Sequence, residues 1–154
     1  MPSNLHFLAS NTSFLPMENR TATRHQIIRS LTTAVNSQDG SVALELWHNM
    51  AVEIRALIGE AGFTALFARA VFLTRCNLPE LDMSKQVTTE QFSALKLYLQ
   101  NQSPQQASHS NQLLLITFTD VLAKLIGEAI TLSILRSAWR ELMLIQAEKE
   151  LKNE

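Results

Sequence analysis

Turn residues are scarce in this chain: four glycines and four prolines punctuate 154 residues. That is too few for a β-sandwich or barrel, whose many tight turns call for such residues. Hydrophobic residues make up 46% of the chain and charged residues 18%, so material for a core is plentiful. The length is that of one domain, which buries roughly 70% of the surface its unfolded form exposes and needs neither disulfide nor metal to fold. The expectation is an all-α fold, a single-domain helical bundle of four to six helices.

Thirteen basic against fourteen acidic side chains leave a net charge of −1, which offers nucleic acid or an anionic membrane no overall field to follow. Cys76 is the only cysteine, so no intrachain disulfide forms and an oxidising compartment is not indicated. The first twenty residues lack the basic start and unbroken apolar run of a secretory signal. Residues 57–73 and 113–135 approach membrane hydrophobicity. The first stretch nevertheless carries Glu60 and Arg69, and the second Asp120, Lys124 and Glu128. Each charge costs about 2.5–3.5 kcal/mol at a bilayer centre on insertion scales. Both stretches read as core helices of a soluble, cytoplasmic protein, with neither nucleic acid nor membrane as a partner.

Residues 1–19 show no period and read as an irregular N-terminal arm. A bundle domain is expected over 20–150, with a charged tail at 151–154. Within it, Ile27, Ile28, Leu31, Ala34 and Val35 share one face of a helix over about 22–36, capped by Thr21 or Thr23. Gly40 suits the turn after it, and Ser41 the start of the next helix. Over 42–75, an unbroken wheel places Ala43, Trp47, Met50, Ile54, Leu57, Ile58, Ala61, Ala65, Ala68 and Phe72 on one side. After Gly62 the polar face disappears, so the second half is predicted to be buried on most sides, with a kink at Gly59 or Gly62. Asn77 and Pro79 stop this helix. A further helix over 89–100 has a capping box from Thr88 to Gln91 and an apolar stripe of Phe92, Leu95, Tyr98 and Leu99. Residues 101–111, polar and aperiodic, read as a flexible loop. One long central helix is expected over 112–150.

The pentapeptide Leu57-Ile58-Gly59-Glu60-Ala61 recurs letter for letter as Leu125-Ile126-Gly127-Glu128-Ala129. A basic residue precedes each copy closely, and one arginine in an apolar stretch follows (Arg69, Arg136). Glycine inside a helix costs about 1 kcal/mol relative to alanine and so calls for a packing reason, such as the close approach of another helix. A glutamate in an apolar segment calls for a partner. These features predict helices crossing at Gly59 and Gly127 about a pseudo-twofold axis, with Glu60 paired to Arg136 and Glu128 to Arg69. Such a buried polar centre is either a structural contact or a receptor for a small polar ligand.

Other constellations are weaker. Glu45 and His48 form an E-x-x-H on a helix, but in one copy and on its polar face, whereas a di-iron bundle converges two such motifs with two further glutamates. No metal is expected. Cys76 at a helix C-terminus is a poor nucleophile, because the dipole disfavours a thiolate there. No glycine-rich phosphate loop, GxSxG or CxxC is present. Arg20, Arg24, His25 and Arg29 are the one basic cluster and read as a solvated face or a partner contact. The functional expectation is a non-enzymatic, small cytoplasmic interaction or regulatory module without cofactor. Its partner would be another protein or a second copy in a homodimer. The alternative is a bundle binding a small ligand or cofactor at the Glu60, Arg69, Glu128 and Arg136 centre.

Overall fold

Six α-helices and no strand occur among the residues described by the computed structural model, 17–34, 41–79, 81 and 91–152. They are α1 (Met17–Ala34), α2 (Ser41–Leu73), α3 (Gln91–Gln100), α4 (Pro104–Ile126), α5 (Glu128–Ala138) and α6 (Arg140–Lys152). The all-α bundle expected from the sequence is therefore present. Most of the arm, the turn at Gly40 and the capping residue Thr88 lie outside the described residues. The arm's last three residues, from Met17, already belong to α1.

Helix α4 is the hub, packing against α1, α2, α3 and α5. Its centre meets an aromatic cluster built on Trp47 of α2. The Trp47 ring stands edge-on to Phe67 at 5.2 Å and to Phe118 of α4 at 5.4 Å, and Phe63 stacks on Phe67 at 6.2 Å. Edge-to-face pairs of this kind add about 0.5–1.5 kcal/mol each beyond the area they bury. A buried indole N–H also needs an acceptor. Trp47 Nε1 donates to Asn111 Oδ1 at 2.7 Å, and Trp139 Nε1 to the Leu46 carbonyl at 2.9 Å. Helix α3 adds Phe92, Leu95 and Leu99, the stripe its spacing predicted. Helix α6 has no buried residue: Leu142 and Met143 rest on the core, while Leu144 and Leu151 face solvent.

The long helix expected over 112–150 is instead three. It begins earlier, because the Ser103 hydroxyl accepts from the Gln106 N–H at 3.2 Å and Pro104 takes the first turn, where a missing N–H costs nothing. Most of the predicted loop at 101–111 is thus helix. The chain then breaks at Gly127, with φ 97° and ψ 153°, and again at Trp139. Gly59 breaks α2 in nearly the same conformation, φ 84° and ψ 170°. This region is open essentially to glycine alone.

Neither glycine marks a helix crossing. A Cβ built on Gly59 or Gly127 would meet nothing within 4 Å, so the residue type is required by the backbone and not by a close neighbour. The Gly59 break also turns the phase of α2. Ahead of it Leu44, Trp47, Met50, Ala51 and Ile54 are buried; beyond it the inward residues are Phe63, Leu66, Phe67, Ala70 and Val71. Ala61, Ala65, Ala68 and Phe72, which an unbroken wheel placed in the core, are exposed. The pseudo-twofold repeat is not confirmed. The two copies share their break, but Glu60 is exposed and Glu128 buried.

Gly59→Ala and Gly127→Ala should each destabilise the fold by about 1–3 kcal/mol, through backbone strain without any clash. A urea midpoint that moves at unchanged slope would show this, and an unmoved midpoint in either variant would refute it.

Candidate functional site

Arg24, Ile28 and Leu31 stand at i, i+4 and i+7 on α1, so the face that sends Ile28 and Leu31 inward also buries a guanidinium. Arg24 is only 1% exposed. A buried charge without partners would cost several kcal/mol, and here acceptors from two helices meet it. Nε donates to Glu128 Oε2 at 2.9 Å and Nη2 to Oε1 at 2.5 Å, a bidentate pair. Nη1 donates to Thr119 Oγ1 at 2.8 Å and to Asp120 Oδ1 at 2.7 Å. Thr21, one turn earlier on α1, donates to Glu128 Oε1 at 2.7 Å, and His25 Nε2 lies 2.8 Å from Asp120 Oδ1. The network ties α1 to α4 and α5.

The break at Gly127 puts Glu128 in this position. Glu128 is the first residue of α5, where unpaired N–H groups and the helix dipole favour a carboxylate. The hydrogen bond from Arg24 holds the Glu128 carboxyl below its ordinary pKa; burial opposes this, while the Thr21 hydroxyl and the charges of Arg24 and His25 assist. For Arg24, burial works against the charge, but its bonds to Glu128 and Asp120 outweigh that and leave its pKa above the usual value. Arginine and glutamate are both ionised here at neutral pH.

The quartet expected from the sequence is not assembled. Glu60, its side chain 51% exposed, lies 2.7 Å from Nε of Arg55 on its own helix, not against Arg136. Glu128 pairs with Arg24, not with Arg69. Arg69 is exposed, its guanidinium 5.6 Å from the Phe72 ring. Arg136 is half-buried, and its Nε has no hydrogen-bond partner among the described residues. Of the four, only Glu128 enters a buried polar centre, and Arg24, Thr119 and Asp120 complete it. The sequence did hold a signal for Arg24: a charge four residues before Ile28 and seven before Leu31 must either point inward or interrupt the stripe.

Glu45 and His48 are exposed, His48 with its ring edge-on to Phe92 at 4.7 Å. Among the described residues no group of three or more His, Cys, Asp or Glu side chains could hold a metal ion. The thiol of Cys76 is free and exposed.

A second feature is the outer face of α2 beyond its break. Ala61, Ala65, Ala68 and Phe72 succeed one another at i, i+4, i+7 and i+11, all exposed, and so form one continuous stripe. By length and composition alone α2 could cross a membrane, a profile that core helices of soluble proteins share; only 22% of its most apolar window is buried. No helix among the described residues covers the stripe, whose Phe72 ring has the guanidiniums of Arg75 at 4.0 Å and Arg69 at 5.6 Å. No protein-family model, curated protein or solved structure matches the chain.

Removing one partner of the buried pair, as in Arg24→Met or Glu128→Gln, should cost about 3–5 kcal/mol, and the double variant Arg24→Met/Glu128→Leu should recover much of it. The pH dependence follows in sign. A carboxyl held below its unfolded value of about 4.3 contributes stability that is full above that pH and is lost as pH falls toward the folded value. Urea unfolding at pH about 7 and about 3 should show this loss in the parent protein, and less of it in Glu128→Gln. A Glu128→Gln variant as stable as the parent at neutral pH would remove the clamp from consideration.

Proposed function

We propose that this chain is a small cytoplasmic helical interaction module, without chemistry of its own, whose partner is a second copy of itself. The observation that carries this reading is the exposed stripe Ala61, Ala65, Ala68 and Phe72 on α2. Alanines allow another helix to approach closely, and Phe72, 50% exposed, supplies apolar area for a partner to bury. A continuous apolar stripe exposed on a helix marks an association site on a soluble protein. A twofold pairing brings identical patches together and needs no other species, and a net charge of −1 per chain sets little repulsion against it.

The body behind the stripe supports this role. The aromatic cluster fixes α2 from within, and a face held in one conformation loses little entropy on pairing. The free, exposed thiol of Cys76 suits a reducing compartment. A ligand-binding bundle built on Glu60, Arg69, Glu128 and Arg136 has no comparable support, since three of the four stand apart and the fourth is held by Arg24.

Sedimentation velocity from about 1 to 100 µM should show dimer growing with concentration, and Ala65→Glu should give monomer throughout with an unchanged circular dichroism spectrum. A parent protein that stays monomeric over this range would overturn the proposal. Monomer that instead floats with phosphatidylcholine–phosphatidylglycerol vesicles would overturn it in favour of a membrane surface.

A further inference from the structure

A groove opens at the end of the bundle where α3 passes into α4, beneath the turn that follows α2. Its volume is about 580 Å³, within the range of small-molecule sites. Five carboxamides face it: Asn77, Asn101, Gln102, Gln105 and Gln106. Tyr98, Pro79, His109 and Ser110 complete the wall, and among the described residues no Asp, Glu, Lys or Arg lines it.

We propose that this groove binds a small neutral polyhydroxylated ligand, a mono- or disaccharide. A carboxamide presents an acceptor and two donors in one plane, which matches sugar hydroxyls that both give and receive hydrogen bonds. A charged ligand would surrender hydration here without meeting a counter-charge among the described residues. The half-buried Tyr98 ring and the Pro79 ring offer apolar surface beside the amides, as the C–H faces of a pyranose require; tyrosine combines such a face with a polar tip.

Part of the groove is also held in place before any ligand arrives. Buried Ser110 donates to Gln102 Oε1 at 3.0 Å, which fixes the oxygen of that carboxamide and leaves its NH₂ as the donor. The Asn101 and Gln102 backbone N–H groups bond back to the Leu97 and Leu99 carbonyls, each at 3.2 Å. The Ser103 cap holds the first turn of α4, which carries Gln105 and Gln106. Polar groups held in place lose less entropy on binding than free ones.

Titrating the ¹⁵N-labelled full chain with maltose, N-acetylglucosamine or inorganic phosphate tests this. One of the two sugars should shift the side-chain NH₂ signals of the groove saturably, with a Kd of about 1 mM. Gln102→Ala/Gln106→Ala should weaken that binding at least about tenfold, as should Tyr98→Ala, with the amide spectrum elsewhere unchanged. The absence of a saturable shift with either sugar would overturn the proposal, and so would phosphate acting on the same signals. None of these substitutions touches the α2 stripe, so failure here and failure of self-association are separable.

Discussion

A guanidinium removed from water must be met by carboxylates, and the arrangement of this bundle follows from meeting that demand at Arg24. The side chain enters along the apolar stripe of α1 and stops against Glu128, Thr119 and Asp120. A buried ion pair is seldom more stabilising than hydrophobic residues of the same volume. Its contribution is selective: α1 sits in one register and one orientation, because a shift by a turn would leave charges buried and unpaired. The apolar surfaces supply the driving force for packing α1 on α4 and α5, and the clamp decides which packing is adopted.

Two glycines make that arrangement possible, and they do so through the backbone alone. At Gly127 the break ends α4 and starts α5, so that Glu128 stands at a helix N-terminus facing α1. At Gly59 the same kind of break turns the second half of α2 around its axis. The aromatic residues Phe63 and Phe67 swing into the cluster around Trp47, and the alanines swing out. One conformational device thus yields a buried carboxylate in one place and an uncovered apolar face in the other. The surrounding helices decide the difference: α1 reaches Glu128, whereas Glu60 pairs with Arg55 of its own helix.

Much of the architecture was legible in the chain. The scarcity of turn residues excluded β folds, the stripe Phe92, Leu95 and Leu99 set the inward face of α3, and Pro79 bounded the region of α2, although the helix itself stops at Leu73 and Asn77 is not left-handed. What escaped periodicity was the backbone conformation of the two repeated glycines, since a helical wheel presupposes the continuity that they interrupt. Every placement beyond Gly59 inherited that assumption. The start of α4 was concealed by its polar composition, although Ser103 followed by Pro104 is a helix-start signal that needs no apolar residue. The buried site was half legible: Glu128 stood out as a charge among apolar neighbours, but Arg24 lay within a basic cluster that resembled solvated surface.

The distance along the chain between the clamped residues bears on how the protein folds. Arg24 and Glu128 are separated by 104 positions, and ordering so long a loop costs entropy before the contact returns anything. The guanidinium cannot leave water until the break at Gly127 has formed and the carboxylate is waiting. Docking of α1 is therefore conditional on α4 and α5 having met, so α1 is among the last of the described helices to find its place. Until then Ile28 and Leu31 remain uncovered, and the folding chain carries a temporary sticky surface on α1.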